Sequence, residues 1–344
     1  MKALVDAMRD PGSIATLDAD GWTGLIAAAR AEQMIGSLAF RLEGQALPIA
    51  VARMCEEARA SSAEWRRTAL WEAEMAHRAL CPLGIPVVLM KGTAYVAAGL
   101  DAGVGRSIGD LDVMIPRAAL GNAEGALIAA GWEWVKPDPY DDAYYRDHMH
   151  ELPPLIHRER DRMIDVHHTI LPLTARQTPD AAAMIAQSVT LGDGLRVFCP
   201  EDMILHSVAH LFADGDLAGG LRNLWDQDRL LRQFGAVDGF GERLAARAAL
   251  HGLSRHLARA LRQTHALYGT PVHAGPLHLS DRLYLRRLTA RDRWGRETRP
   301  FTRLLFYIRS HWLRMPPLML MRHLWTKWRK GGIRLPGTDG GEAR

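Results

Sequence analysis

The chain alternates between short apolar runs and longer segments with helical periodicity. The run at 85–90, bounded by Gly84 and Gly92, is typical of a short buried strand. An Ala-rich helical segment follows it directly, and a second run at 110–115 carries two acidic positions between apolar ones. The pattern predicts a strand, a tight glycine turn, a short helix and a second strand, and the rest of the chain is organised around this unit.

In the second strand the acidic and apolar side chains point in opposite directions. Because side chains alternate along a strand, Asp110 and Asp112 share one face, about 6–7 Å apart, while Leu111, Val113 and Ile115 face the core. Two adjacent carboxylates are costly unless positive charge lies nearby. Mg²⁺ meets that need, since it binds carboxylate, water and phosphate oxygens. The alternative interpretation is a solvated strand end or turn.

The turn between strand and helix adds an anion-binding feature. Gly92 lets the backbone approach a ligand closely, and the free N–H groups where Lys91 and Thr93 open the helix attract anions. A phosphate-binding turn one helix away from a two-carboxylate strand favours phosphoryl or nucleotidyl transfer. Arg106, four residues before Asp110, is suited to bidentate contact with a triphosphate. A surface loop arginine is the alternative.

A third acid lies alone in a later apolar run. Asp165 is flanked by Ile164 and Val166, so its carboxylate needs a partner. An ion pair with Arg106 or Arg162 is one candidate.

His167 lies on the same strand face as Asp165, because side chains alternate with a period of two. It would contact substrate phosphate or orient the acceptor. A hydrogen-bonded structural histidine is the equal alternative. His168 points to the other face.

Three motifs resemble those of a known superfamily. K-G-T at 91–93, followed by a helix and then R-x-x-G-D-L-D-V-M-I at 106–115, is similar to the signature of polymerase-beta-like nucleotidyltransferases. There a hydrophobic strand ends in a Gly–Ser/Thr turn ahead of a D-x-D pair. With M-I-D-V-H-H-T-I at 163–170, the chain more closely resembles the bacterial group known as uncharacterised nucleotidyltransferases. Thr93 stands where many superfamily members have Ser, which keeps a phosphate-binding hydroxyl.

The resemblance, which extends to about Leu231, implies a complete active site. Asp165 would be the third carboxylate, on a strand beside the D-x-D strand, where it completes the metal site and acts as general base towards an acceptor hydroxyl. The implied metal is Mg²⁺, with Mn²⁺ as the alternative. The implied catalytic residues and metal ligands are Asp110, Asp112 and Asp165. The implied nucleotide-binding residues are Lys91, Gly92, Thr93, Arg106 and His167.

The expected fold class is α+β. A polymerase-beta-like nucleotidyltransferase core, made of a small mixed sheet with flanking helices, would carry helical N- and C-terminal regions. The expected divisions are a helical region at 1–80, the catalytic core at 81–200, a helical domain at 201–275, and a basic, aromatic-rich region at 276–344 whose end is disordered.

Periodicity and turn residues place further elements around this core. The predicted helices are 21–42 (capped by Asp18 or Asp20), 48–80, 117–130, 200–212, 221–234 and a helical stretch at 237–267. The other predicted elements are a strand at 132–135, a polar loop at 136–142, a hairpin with arms at 148–157 and 163–170, and a second hairpin at 189–199.

Aromatic and polar side chains on these helices have simpler interpretations than ligand binding. We expect Trp65 and Trp71 to pack in the core or between domains. His206 and His210, four apart on one helical face, are interpreted as packing or substrate-side residues, because Ser207 replaces the glutamate of a zinc H-E-x-x-H motif. The predicted helix at 221–234 carries four further residues whose role stays open: Arg222, Trp225, Asp226 and Asp228.

Charge is unevenly distributed. The chain has a net charge of +4, whereas the stretch between Asp281 and Arg334 carries 15 Lys and Arg against 3 Asp and Glu, which leaves the remainder acidic. The stretch is also rich in large aromatic residues, which include Trp294, Phe301, Phe306, Tyr307, Trp312, Trp325 and Trp328. This composition suits an anionic membrane surface or nucleic acid. The alternative is a solvated helix whose aromatic residues pack on the protein.

The composition is that of an ordinary globular protein, with 48% hydrophobic and 24% charged residues. No apolar stretch reaches the roughly 18 residues of a membrane span, and the N-terminus lacks the apolar centre of a signal peptide. Cys55, Cys81 and Cys199 form no C-x-x-C pattern and are expected to be buried thiols. We expect a cytoplasmic protein, with a peripheral position at the inner membrane as the alternative.

The sequence therefore favours a Mg²⁺-dependent nucleotidyltransferase that moves a nucleoside monophosphate from an NTP to a hydroxyl or phosphate acceptor. The acceptor, a small molecule, peptide or protein, is not identified. One alternative is transfer of a glycosyl or other group from a nucleotide-activated donor on the same scaffold. The other is a non-enzymatic module that binds anionic surfaces through the basic C-terminal region.

Overall fold

The computed structural model describes residues 1–135, 139–192 and 194–314, together with 321 and 325. Its centre is a mixed sheet of seven short strands, in the order β3-β4-β5-β2-β1-β7-β6. The strands are β1 (Val88–Leu89), β2 (Leu111–Met114), β3 (Trp132–Trp134), β4 (Leu155–His157), β5 (Met163–His167), β6 (Val189–Thr190) and β7 (Arg196–Val197). The predicted α+β class with a mixed sheet and helical termini is confirmed.

Helices surround this sheet and form both ends of the described chain. They are α1 (Lys2–Arg9), α2 (Ala19–Ala31), α3 (Ile35–Arg41), α4 (Ile49–Leu80), α5 (Lys91–Ala97), α6 (Leu120–Ala129), α7 (Pro139–His148), α8 (Ala181–Ala186), α9 (Pro200–Val208), α10 (Gly220–Phe234), α11 (Phe240–Leu250), α12 (Ser254–Tyr268), α13 (Leu279–Leu288) and α14 (Pro300–Arg314). Among the described residues, none of these helices combines the length and apolarity that a bilayer crossing requires.

The pairing of β2 with β5 sets the geometry of the centre. The two strands are parallel and Asp112 lies opposite Asp165. β1 pairs with β2 in the antiparallel direction and with β7 in parallel. The strand predicted at 85–90 is shorter than expected and consists of β1 alone. α5 begins at Lys91, whose φ of 49° turns the chain sharply out of the sheet.

The N-terminal helices differ from the prediction in one place. The single helix expected at 21–42 is wrong: α2 and α3 are separated by a turn in which Gln33 has a φ of 55°. Asp18 caps α2 by accepting a hydrogen bond from the Gly21 N–H at 2.8 Å. Gly36 in α3 lies so close to the backbone of Gly105 that an added Cβ would be 2.3 Å from its carbonyl oxygen.

The segment before β4 is also different from the prediction. The polar loop expected at 136–142 is wrong from residue 139 onward, where α7 begins, and 136–138 lie outside the described residues. Because α7 runs to His148, only β4 and an isolated bridge between Glu151 and His167 remain of the first hairpin arm. The second hairpin, formed by β6 and β7, is confirmed.

The helix predicted at 200–212 consists of α9 and a π-helical turn over Ala209–Asp214. The helices at 48–80 and 221–234 and the helical stretch at 237–267 are confirmed within a few residues. Of the basic C-terminal region, α13 and α14 are described; its predicted disordered end lies outside the described residues.

Buried apolar side chains from all parts of the described chain form one core. Leu4, Val88, Leu224 and Phe306 belong to it, and each is at most 1% exposed. The domain boundaries expected from the sequence stay a prediction. Cys55 and Cys199 are buried, but the expectation that Cys81 is buried is wrong, because it lies exposed at the end of α4.

Candidate active site

Three carboxylates converge at the neighbouring strands β2 and β5 in the middle of the sheet. Asp112 and Asp165 are opposite each other on the parallel strands β2 and β5, and Asp110 directly precedes β2. One oxygen from each of these side chains lies within 4.8 Å of the other two. The sequence predicted these three acids, and the structure brings them together.

Asp112 is the most buried member of this carboxylate triad. It is 2% exposed, and its Oδ1 accepts a hydrogen bond from Lys91 Nζ at 2.5 Å. His167 Nε2 lies 3.0 Å from the same oxygen. Burial alone would raise the pKa of Asp112, but Lys91 and His167 outweigh it and hold this pKa well below its usual range.

Asp165 is in the opposite electrostatic situation. Burial, followed by the charges of Asp112 and Glu151, raises the pKa of Asp165 to about 7. Lys91 and His167 act in the other direction but do not compensate. Among the described residues, neither of the predicted ion-pair partners, Arg106 or Arg162, pairs with Asp165. The triad therefore concentrates more negative charge than its protein neighbours neutralise.

The glycine turn lies directly beside the triad. Gly92 is packed against Arg106, whose Nη1 would be 1.9 Å from a Cβ at this position, so no larger residue fits without movement. Lys91 lines the cavity described below and connects the turn to Asp112. Thr93 is 1% exposed and lines a small recess next to Asp110 rather than the main cavity.

Arg106 is held deep in the protein. It is 8% exposed, and its Nε donates to Asp226 Oδ2 at 3.0 Å. Its guanidinium also lies 5.5 Å from the ring centroid of Tyr95. The alternative of a surface loop arginine is therefore wrong. Arg106 does line the main cavity, which is where the sequence prediction needs it.

Two members of the triad and the turn open onto a cavity of about 770 Å³, with Asp110, Asp112, Lys91 and Gly92 in its wall. Asp165 lies next to these acids but is not one of the residues that line the cavity. Small-molecule sites commonly have about 300–1,000 Å³. The far wall comes from three helices, which supply Trp65 from α4, His206 from α9, and Arg222, Asn223 and Asp226 from α10.

His167 has a structural contact that the sequence analysis gave only as an alternative. Its ring, 2% exposed, lies between Asp112 and Glu151, with Nδ1 3.4 Å from Glu151 Oε2. Among the described residues it does not line the cavity itself. It therefore orients Asp112 through a hydrogen bond.

Helix α10 contributes residues that sequence reasoning left without a role. Arg222 donates from Nη1 to the Ser107 carbonyl oxygen at 3.1 Å, and burial followed by the Arg106 charge lowers the pKa of Arg222 to about 10. Asp226 orients Arg106. Asp228, by contrast, is fully buried away from the cavity and accepts from the hydroxyl of Thr270 at 2.6 Å.

Two aromatic predictions need correction. Trp65 lines the cavity instead of packing only against the core. Trp71 is 51% exposed, with the guanidinium of Arg160 5.2 Å from its ring centroid. His206 and His210 both line the cavity, and burial, followed by the Lys91 charge, lowers the pKa of His210 to about 3, so the ring is uncharged.

Glu151 is the residue near the triad that the sequence analysis missed. It follows α7, and its bridge to His167 brings it beside β5. Its acidic side chain directly after His150 was a signal, but its position beside His167 becomes visible only in the fold.

Among curated proteins, none matches this chain. The family model described as uncharacterised nucleotidyltransferase matches residues 18–269, a span that contains the carboxylate triad, the glycine turn and every cavity residue named above. The chain belongs to this nucleotidyltransferase family.

Proposed function

We propose that the protein is a Mg²⁺-dependent nucleotidyltransferase that moves a nucleoside monophosphate from an NTP to a hydroxyl or phosphate acceptor. Family membership supports nucleotidyl transfer in general. The observation that carries the finer proposal is the convergence of Asp110, Asp112 and Asp165 within 4.8 Å, with Asp110 and Asp112 in the wall of a cavity of about 770 Å³.

The donor set of the triad fits a hard divalent cation. All three side chains offer carboxylate oxygens, which Mg²⁺ and Mn²⁺ accept as ligands, and water and phosphate oxygens complete the coordination. The raised pKa of Asp165 supports the fit, because burial and then the charges of Asp112 and Glu151 oppose its ionised form, which a bound cation would favour. When bound, Mg²⁺ supplies positive charge for the attacking and leaving oxygens of the transfer.

Positive side chains around the cavity suit a triphosphate. Lys91 Nζ, now paired with Asp112, is a donor that phosphate oxygens reach from the cavity. Arg106 and Arg222 approach from the other side. Burial, followed by the Arg106 charge, lowers the pKa of Arg222, and an anion bound there would stabilise its charged form. Gly92 has no room for a side chain, so its backbone itself forms this part of the cavity wall.

Asp165 is the candidate general base. A base works best when its pKa is close to the operating pH, and that of Asp165 is raised to about 7. Its carboxylate would accept the proton of an acceptor hydroxyl entering the open side of the site. His167 holds Asp112 in place through Nε2 and is assigned positioning rather than proton transfer.

The test compares three labelled donors with the full chain, Mg²⁺ and a fractionated cell extract as the source of acceptor. Nucleotidyl transfer places the α-phosphate label of ATP, and not the γ-phosphate label, on the product. Phosphoryl transfer places the γ label there. A product labelled only from a nucleotide-sugar would indicate glycosyl transfer.

We expect α-label transfer that requires Mg²⁺ and disappears in Asp110→Asn and Asp165→Asn. Asp216→Asn, which changes a partly exposed aspartate outside the cavity wall, is the matched control and should transfer label normally. Equal transfer by wild type and both triad variants would refute the proposal, as would a product carrying only the γ label.

A second candidate function concerns the basic C-terminal region. On α14 an apolar stripe at helical spacing remains exposed: Phe301 is 79%, Leu305 49%, Ile308 42% and Trp312 42% exposed. Arginines lie on the same helix. An apolar stripe flanked by basic residues is typical of helices that lie in a membrane interface. We infer that this face binds anionic lipid.

Vesicle sedimentation tests this second function. The full chain should bind vesicles that contain anionic lipid more strongly than neutral ones, and Phe301→Ser with Leu305→Ser should reduce that binding. Leu250→Ser, on an equally exposed leucine of α11, is the control. Binding to DNA in place of vesicles would contradict the assignment. So would vesicle binding that the chain with Phe301→Ser and Leu305→Ser retains in full.

A further inference from the structure

A second cluster of possible metal ligands lies behind the carboxylate triad. It consists of His150, Glu151 and His167, and it shares no residue with Asp110, Asp112 and Asp165. Each of its three side chains offers one ligand atom, and these atoms lie within 4.8 Å of one another.

The backbone fixes this cluster rigidly. Glu151 and His167 form an antiparallel bridge. The N–H of His168 donates to the His150 carbonyl oxygen at 2.9 Å, and the N–H of Leu152 donates to the Val166 carbonyl oxygen at 2.9 Å. The three ligating side chains therefore project from two paired segments, and no large rearrangement is needed to bring them together.

The distances are those of ligands around a small ion. Glu151 Oε2 lies 3.4 Å from His167 Nδ1 and 3.7 Å from His150 Nε2. Ligand atoms at about 2.0–2.1 Å from a tetrahedral zinc ion are about 3.3–3.4 Å from one another. Among the described residues neither contact forms a hydrogen bond, and each is an ion pair only if its histidine is protonated.

His167 provides the observation that points to a cation. It is 2% exposed, and among the described residues its Nδ1 has no hydrogen-bond partner. Its Nε2 lies 3.0 Å from the carboxylate of Asp112. A neutral ring that donates from Nε2 to this carboxylate carries a lone pair on Nδ1. That lone pair would face the Glu151 carboxylate at 3.4 Å. Two electron-rich atoms aimed at each other in a buried place are unfavourable unless a proton or a metal cation lies between them.

The contact with Asp112 also fits metal ligation. Metal-binding histidines nearly always donate their other ring N–H to a carboxylate, carbonyl or water, which fixes the tautomer and orients the ring. Two imidazole nitrogens and one carboxylate oxygen form a donor set that zinc accepts with an open fourth position. Side chains of Glu151 and His150 are 18% and 14% exposed, so water can reach that position.

We propose that His150, Glu151 and His167 form a binding site for a divalent transition-metal ion, with Zn²⁺ as the expected ligand. The site is separate from the oxygen-only triad and differs in donor chemistry, since imidazole selects transition metals over Mg²⁺. Bound metal would hold the segment after α7 against β5 and keep His167 aligned with Asp112.

Metal binding by the full chain tests this proposal. The protein is stripped of metal, saturated with Mg²⁺ and titrated with Co²⁺, followed by its visible absorption, and with Zn²⁺ in competition with a chelator. We expect one equivalent to bind with the absorption of tetrahedral Co²⁺. His150→Ala and Glu151→Gln should each weaken it by at least about 100-fold, because even an outer-shell partner contributes about 10–100-fold.

Two control variants keep the result independent of the proposed catalysis. Asp110→Asn disables the carboxylate triad but should retain the bound Zn²⁺. His210→Ala changes a nearby cavity histidine outside the cluster and should retain it as well. Circular dichroism checks that each variant is folded, and histidine NMR signals of the unaltered chain give a second measurement. Failure to bind Zn²⁺, unchanged binding in Glu151→Gln, or loss in Asp110→Asn would overturn the proposal.

Discussion

Two buried aspartates, one in the sheet and one in a helix, have similar neighbours but differ in how completely these neighbours satisfy them. Asp112 is 2% exposed and Asp202, in α9, is 0% exposed. Each carboxylate contacts a basic side chain and the Nε2 atom of a histidine. The neighbours are Lys91 and His167 for the first, and Arg247 and His251 for the second.

The cluster around Asp202 is complete. Arg247 donates from Nε to Oδ1 at 3.0 Å and from Nη2 to the other carboxylate oxygen. His251 Nε2 lies 3.2 Å from Oδ1, and its Nδ1 accepts the N–H of Asp180 at 3.2 Å. Both ring nitrogens and both carboxylate oxygens therefore have partners.

The cluster around Asp112 is incomplete. Asp110 and Asp165 add two carboxylates within 4.8 Å, while Lys91 is the basic side chain in direct contact. Within the described part of the chain, the Nδ1 atom of His167 has no hydrogen-bond partner. Residue types alone do not distinguish the two clusters. Unsatisfied buried polar groups beside a cavity, together with shifted pKa values, are typical of ligand-binding sites.

The largest effect should separate the two aspartates by activity. Asp112→Asn should lower nucleotidyl transfer by about 10³-fold or more, because metal-held charge contributes several kcal/mol and each 1.36 kcal/mol is tenfold in rate. Asp202→Asn should keep the activity per folded molecule within about threefold of wild type, since Asp202 lies outside the cavity wall. Label transfer from α-labelled ATP measures both, and a comparable loss in both variants would remove the distinction.

The next largest effect should be on the free energy of unfolding, and here Asp202 should matter more than Asp112. Asp202→Ala should lower the free energy of unfolding by about 3–5 kcal/mol, because it leaves Arg247 and His251 buried without their partner. Urea denaturation in the presence of EDTA gives the value. Glu201→Ala, which removes the neighbouring ion pair with the half-exposed Arg243, is the control and should cost much less. A loss below about 1 kcal/mol for Asp202→Ala would contradict a structural role.

Asp165→Asn should instead stabilise the metal-free protein, by about 1–2 kcal/mol at pH 8. The substitution removes a carboxylate whose ionised form is opposed by burial and by Asp112 and Glu151. The same urea titration applies, and the gain should shrink when saturating Mg²⁺ stabilises the wild type. Destabilisation of the metal-free protein would show that the Asp165 charge is already compensated.

The smallest effect concerns acid sensitivity. Burial would raise the pKa of Asp202, but hydrogen bonds from His251 and Arg247 outweigh it and lower this pKa below its usual 3.8. The unfolded chain therefore binds this proton first, and stability falls as the pH drops from about 4 through the folded pKa, by up to about 1.4 kcal/mol per pH unit. The slope should be shallower in Asp202→Asn. Identical slopes for wild type and variant between pH 4.5 and 2.5 would contradict this linkage.

Local patterns predicted the carboxylate triad but not its surroundings. Strand alternation placed Asp110 and Asp112 on one face, and the family motifs supplied Asp165. The partner of Arg106 is different, because Asp226 lies 120 residues away on α10 and nothing local relates the two. The sequence analysis therefore left Arg106 with a triphosphate, open solvent or an ion pair with Asp165, whereas the structure pairs it with Asp226.

The fold shows the same limit. The α4 helix and the β6–β7 hairpin follow from local periodicity and turn residues, and both are confirmed. The break between α2 and α3 is accompanied by a distant contact. The backbone of α3 approaches the backbone of the loop at Gly105, and only a glycine at position 36 leaves room for this approach. A helical pattern cannot report such a contact, so the two helices were predicted as one.

The parallel register between β2 and β5 also determines when the carboxylate triad can form during folding. Asp112 and His167, which contact each other, are 55 residues apart in sequence. The whole segment from α6 to β4 must be synthesised before the strands can pair, and closing such a long loop is entropically slow. A nascent or truncated chain that ends before β5 therefore carries the D-x-D motif without Asp165, so the three acids meet only after the sheet has closed.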